Sequence, residues 1–393
     1  EITMKIIEMF LNPQNYQQWY MNMRHILSTS EVWVIPTHNP EGLRVVHGYF
    51  EEEEWVQDVS YRKNKRDVDL NGIFDFNVGV GNDSDGVDLN RNYDFNWVFG
   101  EEAWVYDNAP GEYQSHYDYY KGEYPWSESE IQAIRDFAIE QKFLLSIAYH
   151  SSRSGNVSEK VIYSWDWEEE KKSPDFPIIN NLGIDLANLI LREDGGGGYL
   201  PVSSGSRKGN AHDWFYSQTG CIQYLIEAGT QNIQPDSLEL IEYTIDQNIK
   251  GAFHLMNKST AFQSGNLYAD AYQVSGLVKD VISQEPIENA IVTIENFNGS
   301  VLNPRRTDEF GRFRRLLMPG IFDIEVKAKG YYNQTQTHGT SSAIITFENF
   351  EMIPLLQYPF EIYTIAPENF IDPILITITD KHEIQQFELA SNT

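Results

Sequence analysis

Two apolar runs that each close on a titratable side chain constrain this chain more than any other feature. Phe143-Leu144-Leu145-Ser146-Ile147-Ala148-Tyr149-His150 ends on a histidine, and Gly220-Cys221-Ile222-Gln223-Tyr224-Leu225-Ile226-Glu227 ends on a glutamate. Short apolar runs bounded by turn residues are the pattern of buried strands. Segments with helical apolar spacing lie around them: residues 1–24, broken at Asn12-Pro13, then 127–141, 175–194 and 237–258. Strands alternating with helices predict an α/β fold, a sheet with helices on its faces. In such sheets the ligand site lies beyond the strand ends, where His150 and Glu227 stand.

Shorter signals fill in the frame. Residues 32–42, VWVIPTHNPEG, read as a buried strand ended by turn residues. Ser127 with Glu130 three residues later is a capping-box signature for the helix that follows. Residues 51–125 are rich in Asp, Asn, Gly and Tyr with little periodicity, which predicts long ordered loops around a site.

At 393 residues the chain is too long for one ordinary core, so two or three domains are expected. The character changes near residue 268. From Val274 to Leu356 short strand-like runs alternate with turn signals, the pattern of an all-β sandwich. The expected organisation is 1–265, then a sandwich over 270–356, with 357–393 an unassigned tail or the start of another β unit. A net charge of -29 argues against nucleic acid or an anionic membrane as a partner, because phosphate recognition needs basic patches. No stretch of 18 or more apolar residues is present to span a membrane. The one cysteine, Cys221, rules out an internal disulfide and reads as a small buried hydrophobe rather than a nucleophile.

Taken singly, the candidate residues stay ambiguous. A histidine at a strand end is more often a hydrogen-bonded structural residue than a ligand. Glu227 follows a strongly apolar strand, and burying an unpaired carboxylate is costly, so it must be either ion-paired or functional. Glu1 alone is only a terminal residue. Asp67-Val68-Asp69-Leu70-Asn71-Gly72 matches the first half of a calcium loop, but Val78 stands where the closing Glu belongs. Asn82, Asp83, Asp85 and Asp88 form a second acidic cluster. Structural Ca2+ and solvated turns are both open readings of these loops.

Seven strings change the odds: THNPEG, YRKNK, GVDLNRNYD, PWSESE, SIAYHS, HDWFY and YLIEAGT occur in this order. Together they resemble the ordered landmarks of the zinc metallocarboxypeptidase family over about residues 1–258. The resemblance implies a mixed central sheet flanked by helices, one catalytic Zn2+ held by a His₂Glu set, and peptide or protein C-termini as substrates. It implies that His150 and Glu1 are zinc ligands, Glu227 the general base, and Arg62 the group that polarises the scissile carbonyl. Asn90 and Arg91 would hold the substrate's terminal carboxylate, a task suited to a guanidinium's forked donors. His212, with Arg207 and Lys208 nearby, would line the side-chain pocket and favour acidic or polar terminal residues. In the family the first His precedes the zinc Glu by three residues, so the expectation is a chain cut within that His-x-x-Glu motif and one ligand short. The mobile tyrosine of the family would fall at Gly205; Tyr199 is the nearest upstream candidate.

The run TDEFGRFRRLLMPGIFDIEVKAKGYY resembles the transthyretin-like sandwich that follows the catalytic unit in regulatory-type carboxypeptidases. Arg305, Arg306, Arg312, Arg314 and Arg315 form a basic patch within it, read as an intramolecular docking face. Two functions remain open: a zinc exopeptidase, and a non-catalytic carboxylate- or peptide-binding protein without a complete zinc site. The family's habit implies a secreted monomer, extracellular or periplasmic.

Overall fold

The structure, a computed structural model, describes all residues except 52, 76, 80–84, 100–118, 152–157, 168–170, 205–207, 231–236, 261, 264–265, 268–272, 296, 298, 300, 341–344, 356–373, 380–383 and 390–393. Contacts divide the chain into two compact units, Glu1–Pro354 and Leu355–Thr393.

The first unit is built on a mixed α/β sheet. Among the described residues it runs Leu145–His150, Ile222–Glu227, Lys160–Tyr163, Leu200–Ser203. The first pair is parallel, the middle pair antiparallel and the last pair parallel. Every residue of Ile222–Glu227 is buried, which is why its sequence is mostly apolar and does not alternate. Helices cover it. Ile178, Ile179, Leu182, Leu186 and Ala187 of the helix Phe176–Leu189 share a core with Val161, Tyr163, Tyr224 and Ile226. Helices Ile2–Leu11, Tyr20–Thr29 and Leu238–Thr260 form another cluster, with Ile6, Met9, Met23, Ile26, Ala252 and Phe253, against Ile147 and Tyr149. Truncating a fully buried residue such as Ile226 to Ala removes about 2–5 kcal/mol.

Two local expectations are corrected. Residues 32–36 carry no ladder among the described residues. Val32 and Val34 pack onto the helical cluster, while Trp33 and Ile35 are exposed, so the alternation reflects a chain lying on helices rather than a buried strand. Asn39 then caps the helix Pro40–His47 by accepting from the Gly42 amide at 2.9 Å. The capping box at Ser127 is absent: the helix Ser129–Gln141 has Glu128 at its N-cap position. The Ser127 hydroxyl instead accepts from Asn92 Nδ2 at 2.9 Å and donates to Glu128 Oε1 at 2.7 Å.

Residues 273–352 form a two-sheet sandwich. One sheet holds Arg312–Leu316, Gln273–Asp280 and Ile345–Phe347, with Phe350–Met352 also pairing Gln273–Asp280. The other holds Ile291–Ile294, Gly320–Lys327 and Gln334–Thr340. Val274, Val278, Phe313 and Phe350 meet Val292, Ile294, Ile324 and Val326 in its core. Of the arginine patch, Arg305, Arg314 and Arg315 bond Tyr216, Ser259 and Asp175 of the α/β part. Arg306 and Arg312 bond within the sandwich, to Asn289 and Asp308. The second unit contains an antiparallel pair, Ile374–Thr379 with Ile384–Leu389. No helix among the described residues is long and apolar enough to cross a membrane.

Candidate active site at the strand ends

The parallel pairing of Leu145–His150 with Ile222–Glu227 makes His150 and Glu227 register partners. Neighbouring strands stand about 4.8 Å apart, so the two side chains leave the sheet side by side at its C-terminal edge. The Ala228 amide donates to the His150 carbonyl at 2.8 Å and locks this end of the ladder. Glu227 is 6% exposed. Burial pushes the His150 imidazole down to about 3, and the nearby Arg62 cation adds to the push. His150 is therefore neutral at physiological pH, with a nitrogen lone pair available to a ligand.

Arg62 and the segment Asp88–Arg91 supply the cationic side. Arg62 Nε donates to Asp88 Oδ2 at 2.7 Å. Asp88 Oδ1 also accepts from the Asn90 amide at 3.1 Å, capping the short turn Leu89–Arg91 that presents both Asn90 and Arg91. Burial alone would raise the Asp88 carboxyl, but the Arg62 and Arg91 guanidinium groups outweigh it and hold Asp88 below its ordinary value. Arg91 is 2% exposed and donates through Nη1 to Asn210 Oδ1 at 2.9 Å. Asn90 Oδ1 accepts from the Ala211 amide at 2.9 Å, so both residues are tied to the head of one helix. Tyr119 lies against both cations, its ring centroid 4.7 Å from the Arg62 guanidinium carbon and 5.2 Å from that of Arg91.

The structure thus brings Arg62, Arg91 and His150 into one electrostatic neighbourhood, and Glu227 acts on Arg62 within it. His212 is buried, with Nε2 3.8 Å from Asp213 Oδ2. Arg207, Gly205, Asn82 and Asp83 lie outside the described residues. Glu1 is exposed at the N-cap position of Ile2–Leu11. Tyr199 is buried and its hydroxyl accepts from the Gly229 amide at 3.0 Å, which commits that phenol to the sheet end.

Among the described residues, the one group of three or more His, Cys, Asp or Glu whose donor atoms lie close enough for a single ion is Asp67, Asp69 and Asp85. Those carboxylates already accept backbone amides: Asp67 from Gly72, Asp69 from Asn71, and Asp85 from Val68 and Asp75. Asp88 is paired with Arg62, and among the described residues it is not part of the three-carboxylate group. For zinc the donor chemistry fits, since a neutral imidazole and a carboxylate are zinc ligands.

Sequence reasoning missed Asp88 as the partner of Arg62, and missed Tyr119 and Asn210. Tyr119 stands in an aromatic-dense run whose loop setting hid which charges it meets. Asn210 sits just ahead of HDWFY, and its proximity to Arg91 is visible only in the fold.

Residues 5–254 match the zinc carboxypeptidase family model. The chain belongs to the zinc carboxypeptidase family. Residues 273–347 match the carboxypeptidase regulatory-like domain, as the sandwich over 273–352 requires. The chain is similar to carboxypeptidase D of Mus musculus, 25% identical over 251 residues, covering 58% of this chain and 16% of that protein. It is also similar to carboxypeptidase E of Caenorhabditis elegans, 23% identical over 382 residues, covering 86% of this chain and 69% of that one. The chain thus spans only about a sixth of the length of the carboxypeptidase D relatives, 16% in the mouse protein. Carboxypeptidase A from Helicoverpa armigera superposes with a TM-score of 0.42 at 19% identity, covering 57% of this chain and 50% of that one.

Proposed function

We propose that this chain carries the catalytic machinery of a zinc-dependent exopeptidase that removes one residue at a time from free peptide C-termini. The observation that carries the proposal is the side-by-side exit of His150 and Glu227 from the sheet beside the Arg62–Asp88 pair and Arg91. Zinc would be held by His150 and by Glu1, and would supply the Lewis acidity that lowers the pKa of water.

The chain's own residues then divide the work. Arg91, steadied by Asn210, and Asn90 hold the terminal carboxylate, which places the last peptide bond near Glu227. Glu227 takes a proton from the attacking water as its oxygen bonds to the scissile carbonyl carbon. Arg62 stabilises the negative charge that develops on the carbonyl oxygen. Glu227 returns the proton to the leaving nitrogen as the C–N bond breaks. His212 lines the pocket for the terminal side chain, which favours acidic over aliphatic residues; faster release of C-terminal Leu than Glu counts against this. In this reading residues 1–265 form the catalytic domain, 270–356 the sandwich, and 357–393 an unassigned tail or the start of another β unit. The protein acts as an extracellular or periplasmic monomer.

A second reading is a carboxylate-binding protein that keeps the Asn90–Arg91 clamp, with Arg91 held by Asn210, without zinc chemistry. Zinc stoichiometry and cleavage of a free-acid peptide, measured on this chain and on one carrying His-Ala-Arg before Glu1, separate the two. One bound zinc and release of the terminal residue by the extended chain is the expected result. Absence of zinc from both chains overturns the peptidase reading and leaves the binding protein.

A further inference from the structure

A single helical element joins the proposed clamp to the sandwich. Ala211–Trp214 continues without a break into the wider turns of Phe215–Thr219. At its head, the Ala211 amide donates to Asn90 Oδ1 at 2.9 Å, and Asn210 Oδ1 accepts from Arg91 Nη1 at 2.9 Å. At its tail, Arg305 of the sandwich donates to the Tyr216 carbonyl at 2.5 Å and to the Ser217 carbonyl at 3.3 Å. The Asn303 amide donates to the Ser217 carbonyl at 2.9 Å, and Asn303 Nδ2 to Gln218 Oε1 at 2.6 Å. On its flank, the Tyr216 hydroxyl donates to Asp175 Oδ2 at 2.7 Å. Arg315 Nη2 reaches both oxygens of the same carboxylate, at 2.8 and 3.0 Å.

We propose that Arg305 and Arg315 are positioning residues for substrate: by fixing the helix 211–219 from the sandwich side, they set where Asn210 holds Arg91. The inference rests on the reading of Asn90 and Arg91 as a carboxylate clamp. Its physical basis is the geometry of a short stiff element. The last carbonyls of a helix lack the full set of partners found in its interior, and a guanidinium added there complements the negative end of the dipole; the Tyr216 carbonyl accepts from the Gly220 amide at 3.2 Å as well as from Arg305. Arg305 therefore fixes the axial position of the helix. The ion pair of Arg315 and Asp175 is nearly buried, with side chains 12% and 5% exposed, and it fixes the rotation through Tyr216. Wide-turned helical stretches like Phe215–Thr219 are less well bonded internally and more readily set by outside contacts. Displacement of a binding group by about 1 Å is enough to cost up to about 10²-fold in rate.

Contacts that only glued the two parts together would affect melting and leave recognition alone, and this difference supplies the test. The full chain, with metal removed by chelator, is titrated calorimetrically with N-benzoyl-Gly-Phe and with its C-terminal amide. Arg305→Met, Arg315→Lys and Asp175→Asn are compared with the unaltered protein, and the melting temperature of each is recorded alongside. The expected result is about a tenfold loss of affinity for the acid in Arg305→Met, equivalent to ~1.4 kcal/mol. The amide affinity stays unchanged, and Arg315→Lys, which keeps the charge but not the fork, falls between. Should Asp175→Asn fail to fold, Arg305→Met carries the test, because it leaves the Arg315–Asp175 pair in place and removes bonds to backbone carbonyls together with one cation–π contact to Tyr216. Unchanged preference for acid over amide in a folded Arg305→Met overturns the inference. Equal binding of acid and amide by the unaltered protein overturns the clamp reading, and this inference with it.

Discussion

Arg62 and Asp88 form a 2.7 Å ion pair in which the carboxylate is 3% exposed and the guanidinium 23% exposed. Removing one member of such a pair leaves the other charge poorly solvated, which costs about 3–5 kcal/mol. Asp88→Ala is expected near the lower end, because Arg62 keeps some contact with water. The pH dependence follows from the depressed folded pKa of Asp88. Its contribution is fully present above its unfolded value of about 3.9 and is lost as pH falls through its lower folded value. Asp88→Asn therefore melts lower than the unaltered protein at pH 7, and the gap closes below about pH 4. A constant gap from pH 7 to pH 2 in thermal melts contradicts this account.

Tyr119 faces two cations at once, Arg62 at 4.7 Å and Arg91 at 5.2 Å. Each contact is worth about 0.5–2 kcal/mol, and the ring also keeps two like charges at a set spacing. Tyr119→Phe preserves the ring face and is expected to bind a free-acid peptide as the unaltered protein does. Tyr119→Ala loses about tenfold in that affinity, roughly 1.4 kcal/mol, with no matching loss for the peptide amide. Equal binding by the Ala and Phe variants is the outcome that rejects the platform role.

The strand Ile222–Glu227 was legible because burial along its whole length leaves a mostly apolar run, and the partly buried Leu145–His150 was legible from its similar apolar run. That His150 sits opposite Glu227 was not legible, since register between parallel strands is set by tertiary packing. The same limit hid Asp88. In the sequence it stands among acidic residues and reads as part of a cation-binding loop, whereas the fold gives it a guanidinium. Ser127 shows the opposite failure: a correct local motif was overridden because Asn92, distant in sequence, took the hydroxyl first. Short-range rules hold where no long-range partner competes, and the candidate site is where such partners concentrate.

Asp213 is fully buried beside His212, with Ser204 Oγ 3.1 Å from one carboxylate oxygen. Burial pushes its carboxyl up to about 7, against the opposing hydrogen bonds from Ser204, Asn210 and the Trp165 backbone. The folded state therefore holds this proton more tightly than the unfolded chain. Stability from this group is full below about pH 4 and falls as pH rises toward 7, by up to about 1.4 kcal/mol per pH unit. Asp213→Asn removes that loss, so its melting temperature relative to the unaltered protein rises between pH 5 and pH 8. A difference that is flat over this range shows that the carboxyl ionises normally.

Gly209 touches the clamp directly. Its φ is +72°, and a Cβ there lies 2.1 Å from the Arg91 carbonyl oxygen, which is backbone and has no rotamer to yield. Its own amide and carbonyl bond Phe95 and Tyr93 at 2.8 and 3.2 Å, so the segment cannot slide away. Gly195 is the control: its φ is +71°, and a Cβ there meets nothing within 4 Å. Both Ala substitutions carry the left-handed backbone cost of about 1 kcal/mol, but only Gly209→Ala adds a backbone collision. Gly195→Ala is expected to melt slightly lower and bind a free-acid peptide normally. Gly209→Ala is expected to lose at least a further ~2 kcal/mol of stability and most of its preference for the acid over the amide, because the displaced atom belongs to Arg91 itself. Equal melting and equal binding of the two variants remove the packing of Gly209 on Arg91 from any account of the site.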